Sequence, residues 1–364
     1  MQTETGQRRM TFAPVPLDRV PEVAAFLTGL GQGVLRQGEV SAFRGRNDSW
    51  AGVTSTGQPV FVKRVGGGEA DVRRRMTRIA AMGELFNVHP VVTVPRFLGH
   101  DETNALVAFS LLEDAESVSD VAGEGFSWEL ARSAGLQLGA LHTLTPPGVV
   151  AEDDSEPPLP PLTALTALPM EMYLLASGAE LEAWAILHND AEVVEAIRGL
   201  ADRQQAAPRV LIHGDLRLDQ FLIHDDRLYL VDWEESRVGD AARDLGGFVG
   251  EWLYRGVLGM AGREDGASDR EVVANGARRF ESLRPYIEAF WTGYLEARPT
   301  AHEDGELAAR TAGFAGWHLF DRVLAAGYER ARLTPLERAA AGVGRRVLLD
   351  PAAFTTTLGI GENR

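Results

Sequence analysis

The sequence of 364 residues has no cysteine and a single lysine. Without cysteine there is no disulfide, no thiolate metal site and no cysteine nucleophile. Of the 36 basic residues all but Lys63 are arginine. A chain that uses Arg almost everywhere is expected to keep Lys where guanidinium cannot substitute, as where a compact ammonium must fit among phosphates; the alternative is chance survival, so position has to decide. No run of 18 apolar residues occurs, and Met1 to Pro16 lacks the apolar core of a signal peptide, so a cytoplasmic protein without membrane segments is expected. Basic residues are also outnumbered, 36 against 52 acidic, for a net charge of -16. That balance repels phosphate backbones and argues against nucleic acid as the partner. The one dense basic cluster, Arg73, Arg74, Arg75 and Arg78, reads as the solvated face of a helix.

What is present is a 45% apolar chain, enough for a sizeable core or two lobes. A short helix is expected near Pro21 to Leu30. Three strands should follow, centred on Val40 to Phe43, Trp50 to Thr54 and Val60 to Val65 and separated by glycine turns. Gly66-Gly67-Gly68 is not followed by G-K-[ST], so it reads as a strand-to-helix turn and not a phosphate loop. Glu69 to Phe86 then has helical spacing through Val72, Met76, Ile79, Met82 and Phe86, and Thr93 to Leu98 and Ala105 to Leu111 resume strand character. This order describes a small antiparallel sheet with one packed helix. Ser127 to Leu144 is a strongly amphipathic helix, and from Ala267 onward the pattern is mostly helical. The fold class is therefore α+β.

Between Ser133 and Ile197 there is no Lys or Arg, while ten residues are acidic: Glu152, Asp153, Asp154, Glu156, Glu171, Glu180, Glu182, Asp190, Glu192 and Glu195. Paired prolines at 146–147, 157–158 and 160–161 make part of it a stiff connection. It reads either as a solvated linker or as a surface that attracts a cationic acceptor.

The segment from Val210 to Gly247 carries the chemistry. Two short apolar strands, Gln220 to Ile223 and Leu228 to Val231, flank a turn at Asp225-Asp226, which allows Asp215 and Asp232 to sit at neighbouring ends of one hairpin. Phosphoryl transfer needs such a pair, one carboxylate to accept the proton of the attacking hydroxyl and one to hold the metal that bridges the phosphates. Gln220 offers an amide oxygen as a further ligand. A rival reading, His213 with Asp215 and His224 as a hydrolase metal site, lacks any H-x-x-x-H or H-E-x-x-H spacing among the eight histidines.

His213-Gly214-Asp215, the amide at 220 and Asp232-Trp233-Glu234 resemble the catalytic and metal-binding loops of aminoglycoside phosphotransferases and choline kinases. The resemblance implies a bilobal protein-kinase-like fold: a flexible N-terminus at 1–16, an N-lobe at 17–111 and a mainly helical C-lobe at 112–364, with the acidic segment 133–197 on the acceptor side. It implies ATP and Mg²⁺ as cofactors, Asp215 as the catalytic base, Gln220 and Asp232 as Mg²⁺ ligands, and Asp244, with His213, as support for the catalytic loop. The family usually has Asn where this chain has Gln220, and the extra methylene moves the oxygen by about 1.5 Å. Lys63 falls at the end of the third strand, where the resemblance puts the phosphate lysine, with Glu84 as its helix partner. Gly45-Arg46-Asn47-Asp48-Ser49 falls where the phosphate-covering loop belongs, so Asn47, Asp48 and Ser49 are nucleotide-site candidates. Phe109 to Asp114 resembles the hinge between lobes, and His142 matches a family helix ending and is expected to be structural.

Within the wider family, Gly45 to Gly52, Gln220, Gly250-Glu251-Trp252-Leu253 and the arginine-rich stretch from Arg338 to Pro351 are similar to the kinase subunits of class V lanthipeptide synthetases. That similarity implies phosphorylation of Ser or Thr in a ribosomally made precursor peptide, with a partner lyase that removes the phosphate. The alternative is phosphorylation of an aminoglycoside or another small molecule. A third reading is an inactive kinase fold that binds peptide.

Overall fold

The computed structural model describes residues 15–36, 38, 40–43, 47–122, 125–155, 161–261, 269–328 and 330–361. Residues 1–14, Gly45 and Arg46 of the proposed phosphate loop, and Glu156 to Pro160 of the acidic segment lie outside the described residues. The chain divides into two compact units: one holds the residues up to Pro90, Val94–Ala115 and Asp232–Glu234, the other Val91–Thr93, Glu116–Val231 and Glu235 onward.

In the first unit, helix α1 (Pro21–Gly29) precedes strands β1 (Ser41–Phe43), β2 (Asp48–Val53) and β3 (Pro59–Arg64), then helix α2 (Glu69–Val88), β4 (Phe97–Asp101) and β5 (Leu106–Ser110). The strands form one antiparallel sheet in the order β1-β2-β3-β5-β4. Strand alternation sorts the side chains. Val60 and Val62 join Trp50, Leu106, Ala108 and the α1 residues Val23, Phe26 and Leu27 in one core cluster. Val107 packs instead with Val65 and the α2 residues Met76 and Ile79. Lys63 stands opposite Val107 in the β3–β5 register and so shares the α2 side of the sheet. β4 starts at Phe97, later than the apolar run from Thr93 suggested. The backbone at Thr93 is engaged in the other unit, donating to the Gln137 side chain at 2.8 Å and accepting from Leu230 N–H at 2.9 Å.

The second unit is mainly helical. It begins with β6 (Glu116–Ser117), α3 (Val118–Val121), α4 (Trp128–Leu141), α5 (Gly148–Ala151), α6 (Met170–Leu175), α7 (Gly178–His188) and α8 (Ala191–Ala206). Four short strands follow, β7 (Arg209–Ile212), β8 (Phe221–His224), β9 (Arg227–Leu230) and β10 (Arg237–Asp240), and then α9 (Ala241–Leu258), α10 (Asp269–Ala297), α11 (Leu307–Gly327), α12 (Pro335–Leu349) and α13 (Pro351–Phe354). α4 lies directly on α10, because a Cβ at Gly135 would come within 1.9 Å of the Phe290 carbonyl. The β8–β9 hairpin turns through Asp225 and Asp226, both at positive φ (48° and 56°), the pattern of a type I′ turn. Its sequence signal is two aspartates, which tolerate this region better than most side chains.

Two surface readings change. Arg73 and Arg74 are solvated, at 76% and 48% exposed, but Arg75 and Arg78 face inward, at 0% and 3%. The acidic segment is also partly neutralised within its own unit. Arg338 and Arg345 of α12 pair with Glu182 (2.9 Å), Asp190 (2.5 Å) and Glu192 (2.7 Å), and Glu180 closes a capping box with Ser177. No described helix is long and apolar enough to cross a membrane.

Candidate active site

The catalytic-loop sequence lies in the second unit, between β7 and β8. His213 is fully buried and its Nε2 lies 2.8 Å from the Val231 carbonyl. Gly214 has φ 87°, and a Cβ there would come within 2.3 Å of the Glu235 carbonyl, so the motif demands glycine on two counts. Asp244, in the first turn of α9, is fully buried. Its two oxygens accept from the backbone N–H groups of His213 (2.7 Å) and Gly214 (2.8 Å), and it meets His142 Nε2 at 3.2 Å. Burial pushes the Asp244 carboxyl up, but the His142 hydrogen bond, the neighbouring histidines and the Gly214 N–H together hold it below the usual carboxylate range. Burial in turn holds the His142 imidazole below its ordinary value, against the pull of Asp244. His142 is therefore a strut between Asp244 and the Tyr294 hydroxyl, 3.1 Å from Nδ1.

This bracing presents Asp215 at the surface of the loop, with its side chain 35% exposed. Arg217 Nη1 lies 3.1 Å from it, while Nε and Nη2 of the same guanidinium donate to Asp219. Burial works against the Arg217 charge, but Asp215, Asp219 and Asp321 hold it above its ordinary value. An open depression beside Asp215 is lined by Arg217 of the same loop and by Arg243, Phe314, Trp317 and Asp321 of α9 and α11, residues that the sequence reading did not single out. Gln220 closes a 3-10 turn and is 5% exposed; its carbonyl accepts from the N–H of Val231, the residue before Asp232.

The second group of candidates lies in the first unit. Lys63 Nζ donates to Asp232 Oδ1 at 2.5 Å and to Glu234 Oε2 at 2.7 Å. Burial alone would lower the Lys63 pKa, yet the two carboxylates raise it above the ordinary value, so the ammonium is firmly charged. Glu84 is not its partner. Among the described residues the carboxylates bonded to Lys63 are Asp232 and Glu234, and Glu84 is exposed on α2. The helix explains this: Glu84 lies about two and a half turns beyond Arg75 and so on the opposite face. Asp48 and Ser49 are not loop residues but open β2, opposite Arg64 and Lys63. Asn47 alone of the described loop candidates is built into the cluster, its Oδ1 accepting from Gly66 N–H at 2.9 Å and its Nδ2 donating to Glu234 at 3.4 Å. The sequence reading gave neither Glu234 nor Arg75 a role in the site: Arg75 was placed on a solvated face, and the only signal for Glu234 was its place in the Asp232-Trp233-Glu234 triplet.

No group of three or more His, Cys, Asp and Glu able to hold a metal occurs among the described residues. Mg²⁺ is normally held by one or two carboxylates together with substrate phosphates and water. Asp232, 29% exposed and at φ 69°, offers such a carboxylate, and the amide oxygen of Gln220 is of the same hard type.

The chain belongs to the phosphotransferase enzyme family typified by the aminoglycoside phosphotransferases, which it matches over residues 40–290. Its fold is accordingly that of the kinase-like α+β phosphotransferases. The amicoumacin kinase solved with AMP-PNP, Ca²⁺ and amicoumacin is similar at TM-score 0.51 and 12% identity, over 92% of this chain and 94% of that one. A choline/ethanolamine kinase family protein from Mesorhizobium loti is similar at TM-score 0.51 and 15% identity, over 94% and 99%. In sequence, the methylthioribose kinase of Yersinia enterocolitica is 30% identical over 131 residues, 35% of this chain. The match spans 31% of that enzyme's length.

Proposed function

We propose that the chain transfers the γ-phosphoryl group of ATP to a hydroxyl, with Mg²⁺ as cofactor. The single observation that carries this reading is that the one lysine of the chain stands on the carboxylates of the Asp232-Trp233-Glu234 triplet. Lys63 binds phosphate oxygens. Asp232 of the first unit would hold the cation, and the resemblance adds the amide oxygen of Gln220 as a further ligand; when bound, the cation would supply charge neutralisation on the phosphates. Asp215 orients the acceptor hydroxyl and takes its proton as the new O–P bond forms and the bond to the ADP oxygen breaks. Asp244 and His213 keep the loop that carries Asp215 in shape.

For the acceptor we favour the Ser or Thr hydroxyl of a ribosomally made precursor peptide, phosphorylated as the first step of dehydration, with a lyase as partner. Helix α6 supports this: Met170, Met172, Tyr173, Leu174 and Leu175 are all exposed, an apolar element that suits contact with a peptide chain better than with a compact sugar. The second reading is an aminoglycoside or another small-molecule acceptor. It is supported by the small-molecule kinases among the relatives, and weakened for cationic acceptors by the internal pairing of Glu182, Asp190 and Glu192. Mass spectrometry after incubation with ATP and Mg²⁺ decides between them. A phosphorylated Ser/Thr-rich peptide, absent with Asp215→Ala, is the expected result; a phosphorylated aminoglycoside beside an untouched peptide overturns the peptide reading.

A further inference from the structure

Lys63 has two carboxylate partners that are supported differently. Asp232 is 29% exposed. Glu234 is gripped on both oxygens: Oε2 accepts from Lys63 at 2.7 Å, and Oε1 accepts from Arg75 Nη2 at 2.6 Å. Its backbone carbonyl accepts from Arg78 Nη1 at 3.3 Å, and the preceding Trp233 packs on Phe86 with ring centroids 4.5 Å apart. Arg75, with a side chain 0% exposed, is fixed in turn by the Gly66 carbonyl at 2.6 Å and by Asn47 Oδ1 at 3.2 Å. Desolvating a guanidinium costs several kcal/mol unless it is well paired, so a helix that only had to cover the sheet would be better served here by Leu or Met. Arginine also meets three acceptors in a rigid fork that lysine could not reproduce.

We propose that Arg75 is a positioning residue for Lys63: by locking Glu234 it keeps the Lys63 ammonium in place when Asp232 engages a metal or nucleotide. The charge expected of α2 is thereby reversed. The helix supplies a cation, and the anion that anchors the lysine comes from the triplet beyond the catalytic loop. This inference rests on the phosphotransferase reading given above.

The single lysine makes a direct test possible. Protein grown with lysine labelled at the ε-carbon gives one side-chain NMR signal, from Lys63, with no nucleotide present. Arg75→Gln, which removes the guanidinium, and Glu234→Gln, which keeps the shape of the carboxylate but not its charge, should each move that signal in the same direction. Calorimetry without metal should show ATP affinity reduced about tenfold, or 1.4 kcal/mol, in each. The double variant should bind no more weakly than Glu234→Gln alone, because Arg75 acts through Glu234. A folded Arg75→Gln protein with an unmoved lysine signal, or losses that add in the double variant, overturns the proposal. If the parent protein binds no ATP while the lysine signal still moves in both variants, the phosphotransferase reading fails and the linkage stands. Should Arg75→Gln not fold, an unmoved lysine signal in Glu234→Gln overturns the proposal by itself.

Discussion

Asp244 and Asp232 both belong to short acidic motifs, yet the first is fully buried under two backbone N–H groups and an imidazole, while the second is 29% exposed and held by a lysine side chain. On the function proposed above, the difference follows from what each would have to do. A carboxylate that shapes a loop must keep its partners throughout a reaction cycle, and burial makes losing them expensive. A carboxylate that binds a cation has to exchange partners, and a side-chain ion pair near solvent can be exchanged cheaply. The second unit thus fixes Asp215 by geometry, and the first holds Lys63 and Asp232 by charge.

The largest expected effect is on turnover. Asp215→Ala should lower phosphotransfer by about 10² to 10⁴-fold, as loss of a general base does. ATP affinity and the thermal midpoint should stay near those of the parent; an enzyme still active after this change has its base elsewhere. Next comes the direct contrast between the two aspartates. Asp244→Ala strands two backbone donors and His142, at about 1–3 kcal/mol per buried group, and should cost about 3 kcal/mol or more in urea unfolding. Asp232→Asn should cost less than about 1 kcal/mol, since Lys63 keeps Glu234. Equal losses would dissolve the distinction between a shaped loop and a charge-held cluster.

A pH experiment sharpens the same point on a third carboxylate, buried like Asp244. Burial pushes Glu251 up, but the hydrogen bond from His318 and the charges of His318, Arg322 and Arg255 bring it down to about 2. With a folded value below the unfolded one, its stabilisation is complete above about pH 4.5 and lost as pH falls toward 2. The shift corresponds to about 3 kcal/mol. Unfolding free energy measured across that window should decline more steeply for the parent than for Glu251→Gln, and parallel curves would remove Glu251 from the account. Lys63→Arg, the smallest change, should weaken ATP binding about tenfold. Unchanged affinity would return the lone lysine to an accident of composition.

Much of this was legible in the sequence because it is local. Alternation in Val60 to Val65 and periodicity in α2 located the sheet and its helix, and the scarcity of lysine drew attention to position 63. Asp215, Gln220, Asp232 and Asp244 sit in one contiguous stretch whose spacing suits one chemistry. What escaped was decided by distant partners. A run of arginines looks solvated unless one knows that a carboxylate 159 residues away meets Arg75. The acidic segment likewise looks like a free surface until Arg338 and Arg345 are placed against it. The Gly250-Glu251-Trp252-Leu253 stretch, singled out for a resemblance, lies on the buried side of α9, where Glu251 meets His318 of α11.

The first unit is completed by three residues that arrive very late. Lys63 and Arg75 emerge from the ribosome more than 150 residues before the carboxylates that neutralise them, since the separations to Asp232 and Glu234 are 169, 171 and 159 residues. During that interval two cations that the finished fold buries have no place to go, and closing so long a loop is entropically slow. The charged cluster of the first unit is therefore completed only when nearly two-thirds of the whole chain, and less than half of the second unit, has been translated, so this part of the fold cannot mature in simple N-to-C order.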